Sequence, residues 1–260
     1  MSLDIAKALQ SGAERMTKRN ALIALGLLFG FRVVDTVVSD SFAERLFVDV
    51  INYEERIADL QAQTNQPIQD PGIGEFAFAF LDLPVSVLSV LALALFVVGI
   101  VVRVGIIRTF VSEETQSLPT ENFTRRLGWT VLNLIIGAII YFLAVGIGLV
   151  LFIVPGIYIA VALFFYNYEI IIAEKGVIDA FSGSLDLTAN NRLPLFLLGL
   201  IFAVLGAVVS NVFGAVLPGA TVAGTLVRML VNAALAVFGI TVAAQAYNQL
   251  RSLHREARIE

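Results

Sequence analysis

Apolar residues fall in six long runs, and polar residues are confined to the stretches between them. A membrane-crossing helix needs about 20 apolar residues. Runs at 21–39, 77–102, 128–153, 156–173, 194–216 and 221–247 meet that length. The third and fourth are parted only by Val154-Pro155-Gly156, and the fifth and sixth by Pro218-Gly219. Pro-Gly is a strong turn signal, and one continuous helix across residues 128–173 would far exceed a bilayer. The pattern predicts an all-α polytopic membrane protein whose six spans form three hairpins.

The polar stretches carry periodicity of their own. In the first loop (40–76), Phe42, Leu46, Val50, Tyr53, Ile57 and Leu60 recur three and four positions apart, with Glu44, Asp49, Glu54, Glu55 and Asp59 between them. That is one amphipathic helix, predicted to lie externally, followed by a Gln-, Pro- and Gly-rich loop. Segments 4–20, 120–126 and 177–192 each bring a polar or amphipathic stretch directly into an apolar run. Ala8-Leu9 followed by Glu14 parallels Ala180-Phe181 followed by Asp186. We expect interfacial helices here, either as a repeating unit of interfacial helix plus hairpin used three times or as convergent amphipathicity.

Charge orients the chain. Thirteen of the 17 Lys and Arg residues lie in 1–20, in the second and fourth loops, or in the tail at 248–260. With six spans these all share one face, and the opposite face has only Arg45 and Arg56. The positive-inside rule then makes both termini cytoplasmic, in the cell membrane. Residues 1–20 are polar, and no small-residue cleavage site follows the first apolar run, so that run is expected to be a retained span.

Composition narrows the functional classes. A 58% apolar content and a mean hydropathy of +0.87 exceed what a soluble domain buries. Cysteine is absent, and the single histidine, His254, lies in the tail. Thiolate and histidine chemistry are thereby removed, and no metal site or cofactor is expected. No Walker loop, dinucleotide glycine pattern or nucleophile elbow occurs, and the basic residues are too scattered for a nucleic-acid surface. Twenty-one acidic residues against 17 basic ones, of which only Lys7, Lys18 and Lys175 are lysines, give the composition of a high-salt organism, a halophilic archaeon.

Ionisable groups within apolar helices are functional candidates by default, because lipid makes them costly. Arg32 and Asp35 share a face of the first span, as an ion pair or a gate. Asp82 precedes Leu83-Pro84 at the start of the second, and Glu169 nears the end of the fourth. Arg228 is the lone charge of the sixth span. Its candidate partners are Asp35, Asp82 and Glu169, as a structural clamp or as part of a polar path. Asn133, Asn211 and Asn232 are suited to hydrogen bonds between helices.

One stretch carries a family texture. Pro155-Gly156-Ile157-Tyr158 opens a helix, Glu169 and Glu174 close it, and Ala180, Ser184, Leu187 and Thr188 follow. This resembles a group of uncharacterised six-helix prokaryotic membrane proteins, similar to the membrane domain that precedes some bacterial glycerophosphodiester phosphodiesterases. Ser182, Gly183 and Leu185 depart from its usual basic and Trp positions. The resemblance implies a membrane module with interfacial helices and no catalytic domain. The expected function is a non-enzymatic accessory or membrane-organising role. Its partners would be the lipid bilayer and another membrane protein or a second copy. The alternative is a small-solute or ion permease with a polar path around Arg32, Asp35, Asp82 and Arg228.

Overall fold

The computed structural model describes residues 2–47, 59, 61–63, 81–216 and 221–256, and among them every regular element is helical. In chain order the helices are α1 (Ile5–Met16), α2 (Arg19–Arg45), α3 (Val85–Val111), α4 (Glu121–Thr124) and α5 (Leu127–Leu151). They continue with α6 (Ile153–Ala162), α7 (Tyr166–Ile172), α8 (Val177–Thr188), α9 (Arg192–Val216) and α10 (Val222–Glu256). Taking α6 and α7 together as one span, six helices are long and apolar enough to cross a membrane. Their outer faces carry exposed Leu, Ile, Val and Phe along their length, as lipid contact requires. Most of the expected external helix at 40–76 lies outside the described residues.

The chain divides into two compact units, one of residues 1–26, 100–210 and 234–260, the other of 27–99 and 211–233. In the second unit, α2 and the approach to α3 are tied at one end. Arg45 pairs with Asp82, and the Leu81 N–H donates to Ser41 Oγ at 2.9 Å.

Two boundaries differ from the hydropathy reading. The second span was expected at 77–102, but α3 covers Val85–Val111. Pro84 fixes its start, accepting from the Leu88 N–H at 3.1 Å, as a residue that fits only the beginning of a helix. Arg103 and Arg108, expected in a loop, are therefore within a helix. The hairpin between the third and fourth spans also turns earlier than Pro155-Gly156. Phe152 alone breaks the helix, with extended φ −155° and ψ 129°, and Pro155 and Gly156 sit in the first turn of α6. Proline is harmless there because the first helical N–H groups have no partner within the helix. Gly156 is required by contact: a Cβ on it would lie 2.5 Å from the Leu149 backbone nitrogen, and one on Gly148 would lie 2.8 Å from Gly156 Cα.

Two of the three segments expected to carry interfacial helices form helices of equal length. Both α1 and α8 have 12 residues, and in matching register they bury Ala8 and Gly12, Ala180 and Ser184. Gly12 lies against Val242 of α10. The third segment forms only the four-residue α4, too short for an amphipathic face.

Candidate functional site

The first unit's polar chemistry collects where α3 ends, α5 begins and α7 turns into α8. Arg108, on the last turn of α3, is 5% exposed. Its Nε donates to the Ile171 carbonyl (3.1 Å), and its Nη1 to the carbonyls of Asn122 (3.1 Å) and Arg125 (2.8 Å). Nη2 donates to Thr130 Oγ1 at 3.1 Å. The planar five-donor fork suits this task, since one guanidinium satisfies carbonyls from separate elements. Hydropathy counting treats such a residue as a loop charge. The signal for it was its place, with Arg103, in an otherwise apolar stretch that continues to Val111.

Two corners meet beside it. Arg126 (φ 47°) precedes α5 and Glu174 (φ 56°) follows α7; both adopt the left-handed region that side chains disfavour by about 1–2 kcal/mol. They hold each other: Arg126 Nη1 is 3.0 Å from Glu174 Oε2, and Arg125 Nη2 is 2.7 Å from Oε1. Partial burial pushes the Glu174 carboxyl up. The Arg126 hydrogen bond and the charges of Arg125, Arg126 and Arg108 outweigh that and hold it below the usual carboxylate range.

A second cluster adjoins the first through α7. Glu169 is 6% exposed. Its Oε2 accepts from Lys175 Nζ at 2.5 Å and its Oε1 from the Tyr247 hydroxyl at 2.8 Å. Rings of Phe165, Tyr168 and Tyr247 stand 5.3–5.5 Å apart around it, and the Arg251 guanidinium lies 5.4 Å over Tyr247. Gly183 leaves the room: a Cβ there would meet Lys175 Nζ at 2.5 Å and Glu169 Oε2 at 2.7 Å. Neither Tyr247 nor Gly183 was singled out by the sequence as part of a site, because each looks like an ordinary packing residue of its helix.

The family-like motif serves a break between α6 and α7. Leu163 and Phe165 leave helical geometry, freeing backbone groups. Ser184 Oγ accepts from the Phe165 N–H (3.2 Å) and donates to the Ala162 carbonyl (3.1 Å); Thr188 Oγ1 donates to the same carbonyl at 2.9 Å. Ala180, at 0% exposure, lets α8 approach. Tyr158 accepts a hydrogen bond from Arg192, whose guanidinium also lies 4.6 Å over its ring. Asn133 joins α5 to α8, donating to the Trp129 carbonyl at 2.8 Å and accepting from the Val177 N–H at 3.2 Å.

The five candidate charges are not gathered into one site by the described contacts. Glu169 pairs with Lys175, and Asp82 with Arg45. Arg32 is exposed and Asp35 half-buried, with no ion pair between them among the described residues. Arg228 is half-buried, and its Nε is covered and has no hydrogen-bond partner among the described residues. No cluster of His, Asp or Glu suited to a metal occurs among the described residues.

A helical bundle with an apolar exterior and its buried polar groups in fixed corners defines a polytopic α-helical membrane protein. Residues 3–250 match the family described as a domain of unknown function, DUF7847, and the chain belongs to that family. No curated protein and no solved structure matches it.

Proposed function

We propose that this is a non-enzymatic membrane protein that organises the surrounding bilayer or supports another membrane system. The observation that carries the reading is the use made of its polar groups. Arg108, Glu169, Lys175, Glu174, Ser184 and Thr188 are each spent on fastening helix ends and breaks. A polar path needs groups left free to exchange partners, whereas each of these side chains is committed to a partner at a helix end or break. Reconstituting the full chain into phosphatidylglycerol vesicles with pH- and cation-sensitive dyes tests this. The reading expects leakage no faster than from empty vesicles, together with protein-dependent lipid ordering reported by an interfacial probe.

The runner-up, a small-solute or ion permease, draws on one observation: the Nε of Arg228 within α10 has no hydrogen-bond partner among the described residues. Protein-dependent flux that Arg228→Leu abolishes, with folding yield unchanged, would establish the permease instead.

The proposed setting is the cell membrane with both termini cytoplasmic. Its support is the basic content of the segments around α1, α4, α8 and the tail. The cysteine-free chain allows a direct check with single cysteines. Ser2→Cys should resist a membrane-impermeant maleimide until cells are opened, and Gln63→Cys should react at once; the reverse pattern inverts the orientation. A halophilic archaeal source is proposed on the acid-rich, lysine-poor composition. Kinship with the membrane domain of glycerophosphodiester phosphodiesterases is proposed on the stretch from Pro155 to Thr188.

A further inference from the structure

The corner joint does not balance its own charge. Arg108, Arg125 and Arg126 all act on one carboxylate, Glu174, while Lys175 pairs with Glu169, so the joint itself holds more guanidinium than carboxylate; the sequence neighbours Glu121 and Asp179 are exposed and form no ion pair with it among the described residues. Arg108 is buried, and each of its three nitrogens already donates within the protein. The excess is therefore presented by Arg125 and Arg126, whose side chains are 51% and 58% exposed even while paired to Glu174. One turn further along α5 stands the only tryptophan, Trp129, 46% exposed and beside Gly176. Ile178, at the start of α8, is 83% exposed.

An exposed indole one helical turn from two exposed arginines matches the chemistry of the headgroup layer. Tryptophan sits there with its ring in the apolar boundary and its N–H in the polar one. Basic pockets between membrane helices bind anionic headgroups, and arginine engages a phosphate through two parallel N–H donors. The geometry points to Arg125, Arg126 and Trp129 forming a binding site for the phosphate headgroup of an anionic phospholipid. The site rests on the membrane-organising reading and gives it a ligand class. A zwitterionic lipid would satisfy the indole but bring its own cation toward two arginines that share a single carboxylate.

The single tryptophan reports on the site directly. The full chain is placed in phosphatidylcholine vesicles, and either brominated phosphatidylglycerol or brominated phosphatidylcholine is titrated in while Trp129 fluorescence is read. The expected result is half-maximal quenching at a several-fold lower mole fraction of the anionic lipid, with Arg125→Gln/Arg126→Gln removing the preference. Equal quenching by both lipids in the wild-type chain would overturn the site, and that arm needs no variant to fold. A preference retained in a folded double variant, or one abolished by added inorganic phosphate at constant ionic strength, would also overturn it. Failure of the broader reading appears elsewhere, as flux in the dye-loaded vesicles.

Discussion

At the residue scale, the side chains that matter most carry charge yet look incidental in sequence. Glu169 was legible as an acid inside an apolar run, but its partners were not. Lys175 is six positions on and Tyr247 belongs to a different helix, and no linear spacing joins them. Glu174 is the clearest case of a surface-looking acid with a structural task. Its carboxyl is held below the usual range by Arg126, Arg125 and Arg108 against the opposing effect of burial. A depressed folded-state pKa contributes stability above the unfolded value, and that stability is lost as pH falls through the folded value. The thermal midpoint should therefore fall on acidification from about pH 7 to about pH 3. Glu174→Gln should start lower and fall less. Midpoints measured in detergent across that range check this, and parallel wild-type and variant curves would remove Glu174 from the joint.

At the element scale, six apolar runs were readable because lipid demands long helices and tolerates little else. Their ends were less readable. Residues 77–102 and Val85–Val111 overlap, but averaging hydropathy favours the stretch without arginines, whereas the fold admits Arg103 and Arg108 on the last turns of α3. Pro155-Gly156 signalled a turn, yet the turn is made at Phe152, and Gly156 serves close approach to Gly148 and Leu149. Sequence does not distinguish a glycine that bends the chain from one that admits a neighbour. Gly156→Ala places a methyl against a backbone nitrogen that cannot swing aside. It should cost about 1–3 kcal/mol, the range for overpacking a close contact. Gly146→Ala, which meets open space, should melt with the wild type. Denaturation of the two variants side by side separates these roles, and equal midpoints would contradict the packed hairpin.

At the scale of the whole molecule, we propose that polar groups in this apolar chain lock helix ends together and do not line a route through them. Arg108 carries most of that claim, because its donors reach α7, α5 and the segment between α3 and α5. Each buried acceptor left without a donor costs about 1–3 kcal/mol. Arg228, the lone charge of residues 221–247, has no comparable set of contacts among the described residues. The decisive measurement is the unfolding midpoint of Arg108→Gln beside Arg228→Leu, in the same lipid nanodiscs as the wild type. A loss of several kcal/mol is expected for Arg108→Gln and a much smaller change for Arg228→Leu. An Arg108→Gln protein that unfolds with the wild type, or an Arg228→Leu protein that loses more, would contradict the proposal.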